Sequence, residues 1–227
     1  MPQPSPAPAH RLRRAAYAVR THPNANLLAA QLALVLGYPF LDGTTAGRAI
    51  LGVVQTAVIV TAVLSVRMTP IVTWVVTVLA LPCTVLAIWE SLAPATAWVA
   101  IASAAVHVPF YLLVSYGLIR YLFHDEVVTR DELFATAAAF TVVAWGFAYA
   151  YSGIQAIWPG SFGTHQAWFE LLFMSFTCLT SVGLADFSPV LAHARSVVIL
   201  EQVAGVFYVA LVVSRLVGLT LTRANRS

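Results

Sequence analysis

The segment GTHQAWFELLFMSFTCLTSVGLAD, Gly163 to Asp186, decides the fold. Its apolar stretch Ala167–Leu179 is too short to cross a bilayer core, which takes about 20 apolar residues. Trp158-Pro159-Gly160 precedes it, and the loop Ser181-Val182-Gly183-Leu184-Ala185-Asp186 follows. A half-length helix that stops at a glycine-containing loop reads as re-entrant. Irregular backbone at membrane depth is tolerated only where protein buries it or a water-filled path adjoins it.

Outward from this segment the apolar runs are long. Leu133–Tyr151 precedes it and Ser196–Leu221 follows it. Further upstream lie Leu27–Leu41, Thr45–Val66, Thr69–Leu92 and Thr96–Phe123. The first spans only if it begins near Asn24. It also resembles a cleavable leader in outline, but Gln31, Tyr38 and Pro39 interrupt it and no A-x-A site follows. The predicted fold is an all-α membrane protein. It has six transmembrane helices, with a re-entrant pore helix and filter loop between the fifth and sixth.

Composition leads to the same class. Hydrophobic residues make up 60% of the 227 and charged residues 9%. A soluble domain carries about 25% charged residues. Nine per cent cannot coat a water-facing globule, which excludes a soluble enzyme, a disulfide scaffold and a disordered chain. Cys83 and Cys178 both sit in apolar runs and read as packing residues, not as a metal or disulfide set.

Every basic residue is Arg. With the N-terminus inside, the inner face receives Arg11, Arg13, Arg14, Arg20, Arg67, Arg120, Arg130, Arg215, Arg223 and Arg226; the outer face receives Arg48 and Arg195. This bias predicts cytoplasmic termini and a multi-pass protein of the plasma membrane. The predicted organisation is a disordered basic arm over 1–23, a four-helix transmembrane domain over 24–123 and a cytoplasmic linker over 124–132. A pore domain over 133–221 and a short cytoplasmic tail over 222–227 complete it. Thr129-Arg130-Asp131-Glu132 fits a capping box at the start of the fifth helix.

Helix, re-entrant half-helix, filter-like loop and helix together resemble the pore of the potassium-channel family. That family's filter reads Thr-Thr-Val-Gly-Tyr-Gly-Asp; here the chain reads Thr180-Ser181-Val182-Gly183-Leu184-Ala185-Asp186. Phe173–Leu179 resembles a pore helix and Phe187-Ser188-Pro189 the turn leaving the filter. Leu200–Gly205 and Ser214–Gly218 are similar to the inner helix of small bacterial members. The resemblance covers about Asp125 to Leu221. It implies a homotetramer, since one loop supplies a quarter of each carbonyl ring that replaces a cation's hydration shell. It places potassium, or another monovalent cation, at the backbone of Ser181, Val182, Gly183 and Leu184. No further cofactor is implied, and the partners are further copies of the chain and membrane lipids, not nucleic acid.

Two positions depart from the family. Leu184 replaces the aromatic residue that props the filter, and Ala185 replaces a glycine whose backbone is left-handed. An L-residue in that conformation costs about 1–2 kcal/mol, unless the outer loop takes another shape. The inner filter half is therefore expected intact and the outer half altered.

Single residues carry two readings each. Glu201 is a candidate brace behind the filter or a proton-sensitive gate, against a plain buried hydrogen-bonder. Asp186 either attracts cations or anchors the loop. Gly205, where the family places its hinge glycine, is a candidate gating hinge or a close-packing site. His107 beside Pro109 reads as a packed histidine at a kink. Thr96–Phe123 holds only Arg120, which argues against a voltage sensor. No catalytic motif is present, so no enzyme is expected. The function expected is passive conduction by the pore-forming subunit of a tetrameric cation channel, potassium-conducting or weakly selective. The alternative is a non-conducting scaffold or regulatory subunit with a degenerate filter. A small transporter or membrane enzyme is the third reading; the sequence shows neither inverted repeats and paired broken helices nor a catalytic cluster.

Overall fold

The computed structural model describes residues 23–66, 70–92, 96–123 and 130–224. The expected arm up to residue 22, Arg67, Thr129 of the capping box, linker residues 124–129 and the last three residues lie outside these. Among the described residues the structure is all-helical, with seven helices. They are α1 (Pro23–Leu41), α2 (Thr45–Ser65), α3 (Pro70–Leu92), α4 (Ala97–Leu122), α5 (Arg130–Ile157), α6 (Trp168–Leu179) and α7 (Ala192–Ala224). Six are long and apolar enough to cross a membrane; α6, with 12 residues, is not.

Local chemistry sets the boundaries. The Thr44 side chain accepts from Gly47 N at 2.9 Å and starts α2. Pro23 and Pro70 are the first described residues of α1 and α3, and proline is tolerated in the first turn of a helix. Asp131 and Glu132 occupy the first turn of α5, where the helix dipole favours acidic groups. Arg130, Asp131 and Glu132, expected as linker, are helical. Pro39, Pro82 and Pro109 lie inside helices, as membrane helices tolerate.

The helices pack in chain order, and the most extensive contact joins α4 to α5. α1 also lies against α5, so the first four helices enclose one side of it. More than half of the apolar window of α5 is buried, against 17% for α7. Trp145, Tyr111, Phe110 and Leu118 fill the α4–α5 interface without solvent exposure. His107 is buried there, with Nδ1 3.0 Å from the Ser103 carbonyl and its ring stacked on Tyr149 at 4.1 Å. Gln55 crosses from α2, donating to the Tyr149 hydroxyl at 3.1 Å and to Tyr111 at 3.3 Å.

The opposite ends of the α5–α7 unit are tied differently. Arg215 of α7 pairs with Glu132 at 3.4 Å and lies over the Phe123 ring at 5.5 Å. Asn24 donates to Asp131 at 2.7 Å, joining α1 to the start of α5. At the far end, the Ser161 carbonyl accepts from Val190 N at 2.8 Å, and Trp158 stacks on His193 at 4.2 Å. These contacts hold the α5–α6 loop against the start of α7.

Candidate functional site

α6 begins where Glu170 reaches back to accept from Ala167 N at 2.8 Å. Ala167 has no side-chain oxygen to return the bond, so this cap is one-sided. The preceding loop is held by a two-way amide clasp. Gln155 Nε2 donates to the Gln166 carbonyl at 2.8 Å, and Gln166 N donates to Gln155 Oε1 at 3.1 Å. Gln166 Nε2 in turn donates to Thr164 Oγ1 at 3.0 Å. α5 thereby fixes the position at which α6 starts.

The other end of α6 sets the loop. Thr180 caps it, and its hydroxyl is spent on the Phe176 carbonyl at 2.7 Å. Val182 N and Gly183 N both donate to the Thr177 carbonyl, at 2.9 and 3.0 Å. A trans peptide points its C=O opposite to its N–H. The carbonyls of Ser181 and Val182 therefore face away from α6.

Backbone handedness explains how both can do so. Ser181 has φ +59° and Gly183 φ +69°, while Val182 between them keeps the ordinary sign. Alternating left- and right-handed residues turn successive peptides to the same side, as in backbone nests whose N–H groups converge on a negative atom; here that atom is the Thr177 carbonyl oxygen, and the carbonyls lie on the other side. Glycine adopts this conformation without steric cost; Ser181 does not, and costs about 1–3 kcal/mol. The surrounding bonds to Thr177 hold it there.

The alternation stops at Gly183. Ala185 is not left-handed, so the strain expected at that position is absent and the outer loop takes a different shape. Ala185 N instead donates to the Gly183 carbonyl at 3.2 Å, a three-residue turn. That carbonyl keeps one lone pair for another partner. Leu184 packs little, with 69% of its surface exposed, and Val182 is 59% exposed. Thr180, Ser181, Gly183 and Asp186 are also exposed, and Ala185 is half-buried.

Behind the loop stands α7. Glu201 is fully buried. It accepts from the Tyr151 hydroxyl of α5 and contacts the Ser175 hydroxyl of α6. Ser175 Oγ also lies 2.7 Å from the Ala144 carbonyl. One carboxyl group therefore links three helices. Ser175 has one hydroxyl proton for two oxygens; a protonated Glu201 satisfies both, donating to Ser175 while Ser175 donates to Ala144.

Gly205 sits one turn further along the same face. A Cβ built there would lie 2.0 Å from the Leu179 carbonyl oxygen. α7 runs unbroken through it. The absence of a side chain lets α7 touch the last residue of α6.

The structure brings Glu201 and Gly205 to the back of α6, with Thr180–Asp186 on the exposed side. Tyr151, Ser175 and the Gln155–Gln166 clasp are partners that the sequence did not single out. None belongs to a motif. Tyr151 and Ser175 show in the sequence as polar side chains within apolar runs, and Gln155 and Gln166 lie outside those runs.

No curated protein and no solved structure matches the chain. Residues 137–221, covering most of α5, all of α6, the loop and nearly all of α7, match the family described as "Ion channel".

Proposed function

We propose that the chain is the pore-forming subunit of a homotetrameric cation channel of the cell membrane, potassium-conducting or weakly selective. Both termini are cytoplasmic in this reading. Conduction is passive, through backbone carbonyls of the 180–186 loop. The observation that carries the reading is the alternating backbone of Ser181, Val182 and Gly183, within a segment that matches an ion-channel family. It aims two consecutive carbonyls away from α6, as a ring of cation ligands requires.

Assembly has support in the surface of α7. Leu200, Val206 and Phe207 are each at least 60% exposed, leaving an apolar face beyond the contacts with α5 and α6. Four copies about an axis would place α7 around an inner cavity and the loops above it. The C-terminal end of α6 points at that cavity in this arrangement, and its dipole favours a cation there. Potassium would lie at the carbonyls of Ser181, Val182, Gly183 and Leu184.

Protein reconstituted in liposomes tests the function. Flux of potassium or sodium down its gradient, from a particle with tetrameric mass, is the expected result. A tetramer that passes neither ion would favour the non-conducting scaffold reading. The turn closed by Ala185 N on the Gly183 carbonyl is the feature that favours that second reading.

Selectivity follows from the same loop. With the outer half reshaped, fewer carbonyl rings act in series. The double change Leu184→Tyr with Ala185→Gly is expected to raise the potassium-over-sodium permeability ratio, read from reversal potentials in mixed gradients. If the unmodified channel already excludes sodium and the double change leaves its ratio alone, the outer loop is not the determinant.

Gating by voltage is expected to be weak. Arg120 is the basic residue of α4, and it lies in the last turn. One charge crossing the field gains about 2.3 kcal/mol per 100 mV, and a residue at the membrane edge crosses little of it. A conductance–voltage curve as steep as several charges per subunit would contradict this.

A further inference from the structure

A cavity of about 390 Å³ opens between the four-helix unit and the start of α6. Its volume falls within the usual range for small-molecule sites of about 300–1,000 Å³. Its walls come from α1 to α5 and from His165–Trp168, and its floor includes the buried Gln55 and Tyr149. The Gln155–Gln166 clasp that positions α6 forms part of the same wall.

The charges in this cavity are unusual. Arg48 and Glu90 both line it and are both half-buried. They are not within ion-pair distance of each other, and among the described residues neither has another oppositely charged side chain in that range. Asp42 also lines the cavity, and is exposed.

Their placement does not serve the helices that carry them. Arg48 is in the first turn of α2, where the dipole disfavours a cation. Glu90 is in the last turn of α3, where it disfavours an anion. The Ser103 hydroxyl lies near Glu90 but is neutral, and a half-buried charge with no opposite charge beside it is costly. Two of opposite sign, each at the wrong helix end, facing one cavity, are complementary to a molecule that carries both signs.

We propose that this cavity binds a small zwitterion, with its ammonium group at Glu90 and its anionic group at Arg48. Tyr38, Tyr149 and Trp168 also line the cavity, and aromatic walls suit an organic cation. Leu34, Leu51 and Val99 are apolar and suit a short hydrocarbon spacer. A free amino acid and an ethanolamine phospholipid headgroup share this chemistry. The inference does not depend on whether the chain conducts ions.

The test uses the full chain in nanodiscs of phosphatidylglycerol, a lipid without an ammonium group. Calorimetric titration with glycine, 4-aminobutanoate and 6-aminohexanoate samples the spacing of the two charges. Pentylamine and pentanoate are the single-charge controls. The best zwitterion is expected to bind at least ten-fold more tightly than either control. Arg48→Gln and Glu90→Gln should each reduce it to the control level, and Arg48→Lys should keep most of the preference. Circular dichroism and particle mass verify that each variant is folded. Phosphatidylethanolamine in the disc distinguishes the sources. If it weakens binding of the best zwitterion at least ten-fold, the headgroup is the occupant; unchanged binding assigns a soluble one. A zwitterion that binds no better than pentylamine overturns the proposal. So does full affinity retained in either folded Gln variant; should neither Gln variant fold, loss of the preference in folded Arg48→Lys overturns it.

Discussion

Gly205→Ala is expected to destabilise the protein and to abolish most of its ion flux. The added methyl would sit 2.0 Å from the Leu179 carbonyl oxygen. Both atoms belong rigidly to backbone, so no side-chain rotation relieves the overlap. α6 or α7 must move by about 1 Å, at an overpacking cost of about 1–3 kcal/mol. Leu179 is the last residue of α6, immediately before the 180–186 loop. The displacement therefore reaches the loop directly. A drop of several degrees in the unfolding midpoint, with at least a ten-fold loss of flux, is the expected pair of results. A hinge predicts otherwise: a stiffer helix, unchanged thermal stability and an altered open probability. The two measurements separate packing from hinging at this glycine.

Glu201→Ala is expected to be at least as costly. It leaves the buried Tyr151 hydroxyl without its partner, while Ser175 keeps its bond to the Ala144 carbonyl. A buried hydroxyl left unsatisfied costs about 1–3 kcal/mol, and the empty volume adds to it. Glu201→Gln is expected to be far milder. Its amide N–H can donate to Ser175 while its oxygen accepts from Tyr151, reproducing the bonds of a protonated carboxyl. Thermal unfolding of the reconstituted protein should rank wild type and Glu201→Gln together, with Glu201→Ala well below. Equal loss in both variants would mean that a negative charge, not the bonding pattern, is what the three helices need.

Much of this architecture is legible in the residues alone. Length and apolarity separate six spanning runs from the short Ala167–Leu179 stretch, because a helix rises only about 1.5 Å per residue. Thr180–Asp186 stands out through its own pattern. The backbone of Ala185 was not legible. Treating it as a stand-in for a left-handed glycine implies strain, yet its side chain makes that conformation unfavourable and the loop turns another way. The two readings of Gly205 differ only in what lies opposite, and Leu179 is set opposite by tertiary packing. Glu201 could be recognised as a buried acid, but Tyr151 and Ser175 stand 50 and 26 residues away. The cavity between α1–α5 and α6 is hidden for the same reason. Arg48 counts as an outer-face charge in the sequence, and only the fold brings it to the same space as Glu90.

The contact of α4 and α1 with α5 of the same chain bears on mixed assemblies. In a tetramer built this way, each four-helix unit leans on its own quarter of the pore, not on a neighbour's. A lesion in one unit should then burden one quarter only. Co-expressing normal and defective chains should produce a graded decline as the defective fraction rises. A single faulty copy should not silence the whole complex, as it would if neighbours exchanged their peripheral helices. Inheritance of such a lesion would accordingly be recessive or additive in character, a property of the assembly that follows from which helix rests on which.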